Sequence, residues 1–161
     1  MAASIPATII AGQGNAQRNH AVLIPRLAKH FKEIEHCRPF GTINLQLDQP
    51  LNRTHADYWT RRVTWLPVDG AMRGQVRHEA FGFIKIRIEC PLSGPLYDAW
   101  IMLPEGSRLT YCEDQVEIVA DVLVAGVSYG TRCAIHIDHA PSVAAPPWFG
   151  EIYGGSLIGK S

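Results

Sequence analysis

The sequence has no run approaching the roughly 20 consecutive apolar residues that a membrane-crossing helix needs, so no such helix is expected. Its first segment, MAASIPATIIAGQG, lacks the basic start and long apolar stretch of a secretory signal, and the chain reads as cytoplasmic. Charge of one sign is missing as well, because 15 Lys and Arg balance 15 Asp and Glu. That balance advertises neither a nucleic-acid surface nor a membrane surface, although it leaves room for one local anion pocket. No Cys-x-x-Cys occurs. Cys37, Cys90, Cys112 and Cys133 stand singly and read as small core residues of a reducing compartment. A zinc site built from them with His36 or His136 lacks the paired ligand spacing. There is no internal repeat. Gly159-Lys160-Ser161 resembles the end of a phosphate loop but is not followed by the helix such a loop requires.

What is present is enough for one folded domain. Of 161 residues, 47% are hydrophobic and 19% charged, a composition that can close a sizeable core. Ile5–Ala11 is a short β-prone run. A helix is expected over Ile24–Glu35, with Pro25 in the first turn, where its missing N–H is not needed, and Leu27, Phe31 and Ile34 on one face. Pro39 ends it. Ile43, Leu45 and Leu47 alternate with Asn44, Gln46 and Asp48, the pattern of a half-buried strand. Residues 48–57 read as loop, Arg62–Val68 as a strand and Val68–Gly74 as a turn-rich break. Phe83–Cys90, Tyr97–Leu103, Gln115–Val124 and Arg132–Asp138 alternate in the same way, with Pro91–Pro95 as a turn. Six or more short strands with one good helix imply a closed or nearly closed β-barrel, since closure removes exposed strand edges. The barrel domain is expected over residues 1–140. Residues 141–161 form a Pro/Gly-rich tail in which Trp148, Phe149 and Tyr153 offer anchors to the barrel or to a second copy, making a homo-oligomer possible.

Three groups of residues carry the chemistry. Gly12-Gln13-Gly14-Asn15 follows a strand and precedes a helix, where glycine lets backbone N–H groups approach phosphate; taken alone, a plain glycine turn is the simpler reading. In Gly41-Thr42-Ile43-Asn44-Leu45, Thr42 and Asn44 point to one side of a strand and offer hard, neutral oxygens of the kind Mg²⁺ accepts. The alternative is a turn with side chains bonded to backbone. Thr110-Tyr111 and Glu117 form the third group. Glu117 sits on the polar face of an apolar strand, either as a base or ligand contact or as an ordinary exposed carboxylate. His136-Ile137-Asp138-His139 contains metal-ligand types, but neighbouring strand residues face opposite sides. Arg61-Arg62 is a small basic pair.

In sequence order these pieces resemble the archaeal-type, CTP-dependent riboflavin kinases. The resemblance rests on Gly12-Gln13-Gly14, the helix after it, Pro39-Phe40-Gly41-Thr42-Ile43-Asn44-Leu45, and Thr110-Tyr111 leading to Val116-Glu117-Ile118-Val119-Ala120. It spans residues 8–138. It implies a mainly β fold, a single six- or seven-stranded cradle-loop-type β-barrel with one main α-helix. The implied activity is phosphoryl transfer from CTP or another nucleotide to riboflavin, giving FMN. Thr42 and Asn44 would hold Mg²⁺. The segment Gly12, Gln13, Gly14, Asn15, Ala16, Gln17 and Arg18 would cover the nucleotide phosphates, and Thr110 and Glu117 would contact riboflavin, with Glu117 the candidate base. The sequence departs from the family's pattern in several places: the proline before Gly41-Thr42 is one residue closer, the Thr110-to-Glu117 spacing is one shorter, and two departures bear on the nucleotide. A second glycine of the loop is replaced in Asn15-Ala16, and Asp121-Val122-Leu123-Val124 carries no arginine where the family has one. Those departures leave open a barrel that binds flavin or nucleotide without phosphoryl transfer, or a kinase for another small acceptor.

Overall fold

A computed structural model describes residues 2–11, 20–35, 37, 42–68, 73–105, 114–120, 124 and 127–146. In chain order these form β1 (Ala3–Ile10), α1 (His20–Ala28), a 3₁₀ turn (Lys32–Ile34), β2 (Thr42–Leu47), β3 (His55–Ala56), β4 (Tyr58–Trp59), β5 (Val63–Trp65), β6 (Arg77–Glu79), β7 (Phe81–Glu89), β8 (Leu96–Pro104), β9 (Gln115–Ala120), β10 (Arg132–Ile137) and β11 (Val143–Ala144). The main sheet has seven strands in the order β10-β1-β2-β9-β8-β7-β4, and β10 also pairs with β7. That pairing closes six antiparallel strands into a barrel and leaves β4 as the additional strand, so the expected mainly β barrel with one main helix is the observed fold.

The strand periodicity builds two cores. Side chains at alternate positions point to opposite faces of a strand. Ile84, Ile86, Ile88, Ala99, Ile101, Leu103, Val116, Ile118 and Ala120 therefore fill the barrel with Ile5, Ile9, Leu45 and Ile135. Each Ile, Leu and Val of this set contributes about 1.5–3 kcal/mol by leaving water. The opposite faces of β7, β8 and β9 are not uniformly polar. Phe81, Phe83, Met102 and Val119 turn outward and form a second core with Leu23, Ile24, Leu27, Phe31 and Ile34. One sector of the barrel wall is thus covered by α1 and the 3₁₀ turn. Phe31 is the pivot, stacked on Tyr58 and Phe83 at 4.8 Å each and meeting Trp100 edge-on at 4.9 Å.

The helix differs from the expected Ile24–Glu35. It runs His20–Ala28, and Pro25 lies inside it rather than in its first turn. His30 and Phe31 both donate to the Leu27 carbonyl, and a 3₁₀ turn follows. The apolar spacing is nonetheless satisfied, since Leu27, Phe31 and Ile34 are all buried. A helix and a short 3₁₀ turn in series present these positions to the barrel as one longer helix would. The segment at 48–57, expected as loop, contains β3, which pairs with β11 of the C-terminal segment. Residues 147–161, with Trp148, Phe149 and Tyr153, lie outside the described residues.

The closing seam is short. Only Ala134, Ile135 and His136 of β10 find register partners on β7. Asp57 takes over where β10 diverges. Its N–H donates to the Phe83 carbonyl at 2.8 Å, its Oδ2 accepts the Lys85 N–H at 2.6 Å, and its Oδ1 meets His139 Nε2 at 2.6 Å. Next to it, Trp59 lies against Gly82, where an added Cβ would overlap the indole ring. The indole is pinned from its other end by donating to the Val143 carbonyl at 2.9 Å. Gly82→Ala should therefore lower stability by about 1–3 kcal/mol through overpacking, measurable by urea unfolding. At the other end of β10, Arg132 bridges Asp48 (2.7 and 2.9 Å) and Thr8 (2.8 Å), tying it to β1 and to the residue after β2. The guanidinium holds the Asp48 carboxyl below its ordinary value of 3.8. Its contribution is present above that value and is lost on further acidification.

The cysteines behave as core residues. Cys37, Cys90 and Cys133 are buried, and Cys112 lies outside the described residues. Burial, with Cys90 nearby as a smaller cause, pushes the Cys133 thiol up to about 12. In a Cys112→Ser background the native protein should therefore react with a thiol reagent at neutral pH only as fast as it unfolds. A fast-reacting thiol in that variant would contradict the barrel packing. Because the unfolded thiol ionises from its ordinary 9.0 and the buried one does not, stability should fall as pH climbs from 9.0 toward 12.

Candidate functional site

Antiparallel register brings three of the sequence-derived residues together. On β2, Thr42, Asn44 and Gln46 share the outer face while Ile43, Leu45 and Leu47 point toward the barrel core. Asn44 is the register partner of Glu117, and Thr42 of Val119. Glu117 in turn is opposite Met102 of β8, and Val119 opposite Trp100. Two parallel rows result across the barrel wall, Asn44–Glu117–Met102–Phe83 and Thr42–Val119–Trp100–Lys85. The polar members of these rows therefore border the apolar core under α1.

Burial distinguishes this group from an ordinary strand surface. Thr42, Asn44 and Glu117 are each 4% exposed. The expectation of an exposed strand carboxylate at Glu117 does not hold. The Thr42 hydroxyl oxygen is shielded from solvent and takes part in no hydrogen bond among the described residues. Leaving a buried hydroxyl in that state costs about 1–3 kcal/mol, so the site is built at the expense of stability unless something meets it. Asn44 and Glu117 make contacts of their own. The polar strip continues below them, where Gln115 Nε2 donates to Gln46 Oε1 at 3.0 Å and the Leu47 N–H donates to the Asp114 carbonyl at 2.6 Å. These bonds fix β9 against β2 and so fix the Asn44–Glu117 register.

The other buried carboxylates are structural. Glu105 accepts from Arg62 Nε at 2.8 and 3.0 Å, which removes Arg62 from the basic pair noted in the sequence. Glu79 pairs with Arg77 and accepts from Trp65 Nε1 at 3.3 Å. The histidines near the end of β10 do not converge. His136 meets Glu89 at 3.2 Å, His139 meets Asp57, and Asp138 pairs with Arg87 at 3.1 Å. No group of three or more His, Cys, Asp or Glu able to hold a metal forms among the described residues. No helix of the described residues is long and apolar enough to cross a membrane.

Two further sequence-derived groups lie outside the described residues: Gly12, Gln13, Gly14, Asn15, Ala16, Gln17 and Arg18, and Thr110 with Tyr111. Their attachment points are defined. Ile10, the last residue of β1, is the register partner of Asn44, so the chain enters 12–19 beside the Thr42/Asn44 group and returns in α1. The 106–113 segment joins Glu105 to Asp114, at the opposite end of the β2–β9 ladder. A cavity of about 200 Å³, lined by Glu33, Lys85, Asp98 and Trp100, opens on the same sector of the wall, with Lys85 Nζ 4.9 Å from the Trp100 ring centroid. Nothing in the sequence marks it, because its residues come from three separate elements. No family model matches the chain, and no curated protein is significantly similar to it.

Proposed function

We propose that the chain is a Mg²⁺-dependent kinase that transfers a phosphoryl group from CTP, or another nucleoside triphosphate, to riboflavin, giving FMN. The observation that carries this reading is the buried Thr42 hydroxyl, which meets no hydrogen-bond partner among the described residues and lies beside Asn44 and Glu117 on one face of β2 and β9. A hydroxyl and an amide oxygen placed two residues apart on a strand suit a hard cation, whose remaining shell comes from water and phosphate. When bound, Mg²⁺ supplies charge neutralisation at the phosphate oxygens.

The chain's own groups bind and orient. Thr42 and Asn44 would hold the cation. The Gly12–Arg18 segment, which leaves β1 beside Asn44, is assigned to the nucleotide phosphates through its backbone N–H groups. Thr110 and Glu117 are assigned to the acceptor. The acceptor's 5′-hydroxyl gives its proton to the Glu117 carboxylate, its oxygen forms the new bond to the terminal phosphorus, the bond to the bridging oxygen breaks, and the nucleoside diphosphate leaves. This chemistry asks for position and electrostatics rather than a covalent nucleophile, and a rigid barrel wall supplies position.

A binding barrel without transfer is the second reading, favoured by Asn15-Ala16 in place of a glycine and by the lack of arginine in residues 121–124. Riboflavin fluorescence and a fluorescent nucleotide separate the possibilities. The kinase reading predicts that both ligands bind and that Thr42→Val weakens the Mg²⁺-dependent nucleotide binding at least about tenfold. Flavin binding with no nucleotide binding would establish the second reading, and binding of neither ligand would contradict both.

A further inference from the structure

We infer that Glu117 is a third protein ligand of the cation at Thr42 and Asn44, and that it allows a divalent cation to bind before any nucleotide arrives. The inference rests on the assignment of Thr42 and Asn44 to a cation. Those two side chains contribute neutral oxygens only. A Mg²⁺ site without phosphate normally includes one or two carboxylates, because neutral oxygens alone do not repay the ion's dehydration. Among the described residues of β2 and β9, the carboxylate on that face is Glu117. Glu117 is the direct register partner of Asn44, and the Cβ atoms of such partners are about 4.5–5.5 Å apart. Both side chains are 4% exposed, so any charge between them acts in a low-dielectric setting.

The nearby alternatives are committed elsewhere. Glu79 and Glu105 are held by Arg77 and Arg62. Glu33 and Asp98 line the cavity beside Trp100, and the fully buried Val119 stands between Trp100 and Thr42. One Glu117 oxygen on the cation leaves the other to meet the acceptor, so the two roles of this residue are compatible.

The test is Mn²⁺ titration of the full chain without nucleotide, read by electron paramagnetic resonance. Wild type should bind Mn²⁺, Glu117→Gln should weaken it at least tenfold, and Glu117→Asp should fall between. Glu117→Gln binding as tightly as wild type would overturn the inference. So would wild type binding no Mn²⁺, yet the kinase reading would then survive if Mn²⁺ binds once nucleotide is added and Thr42→Val abolishes that binding. If the Gln variant does not fold, the wild-type infrared difference spectrum on adding Mg²⁺ decides, because an unshifted carboxylate band contradicts ligation.

Discussion

Asn44→Ala is expected to reduce FMN formation by about 100- to 1000-fold, the loss typical of removing one preorganised electrostatic contact from a transition state. The effect should appear chiefly as a higher Mg²⁺ requirement and a lower kcat, with KM for riboflavin little changed. Asn44 is 4% exposed and sits between Ile10 on β1 and Glu117 on β9. Alanine removes the amide oxygen while leaving the strand pairing intact. The control is a melting curve. Asn44→Ala should lose no more than about 1–3 kcal/mol for its buried side-chain contacts and stay folded at the assay temperature, because both ladders flanking β2 are made by backbone atoms. Activity within twofold of wild type at limiting Mg²⁺ would remove Asn44 from the cation site.

Phe83→Ala should have the largest effect on stability, about 3–5 kcal/mol, as a large aromatic leaves a packed cavity. Phe83 is fully buried, stacks on Phe31 at 4.8 Å, and ends the row that starts at Asn44. Its loss undercuts α1 as well as the wall, because Phe31 holds Tyr58 and Trp100 in the same cluster. Against a total stability of about 5–15 kcal/mol the variant is expected to be partly unfolded at 37 °C. Urea titration followed by tryptophan fluorescence measures this. A loss below about 1 kcal/mol would mean that the outer core is not a single packed unit.

How far the sequence discloses this molecule depends on the range of the interaction involved. Ile84, Ile86 and Ile88 alternate with Lys85, Arg87 and Glu89, so the longest strands and their inward faces are legible from local pattern alone. The burial of Leu27, Phe31 and Ile34 is legible for the same reason, although the break after Ala28 is not, since it follows from how the chain turns over the barrel. β6 escapes notice because Arg77-His78-Glu79 has no apolar alternation; its partner β5 and the contacts of Glu79 with Arg77 and Trp65 specify it. β3 and β4 are two residues each, too short for any period.

The same division runs through the site. That Thr42 and Asn44 share a face follows from strand geometry. That Glu117 stands opposite Asn44 does not, because register between such distant segments is set by the whole barrel. The burial of these polar side chains is likewise tertiary, decided by what covers this sector of the wall. Each alone looks like an unremarkable strand residue, and only the closed barrel makes a group of them.

The most direct test of this account is incubation of the purified chain with riboflavin, Mg²⁺ and each nucleoside triphosphate in turn, with separation of FMN from riboflavin by chromatography. The account predicts FMN with at least one donor, nucleoside diphosphate in equal amount, and no product when Mg²⁺ is chelated. Absence of FMN with every donor, from protein whose melting curve shows it folded, would contradict it.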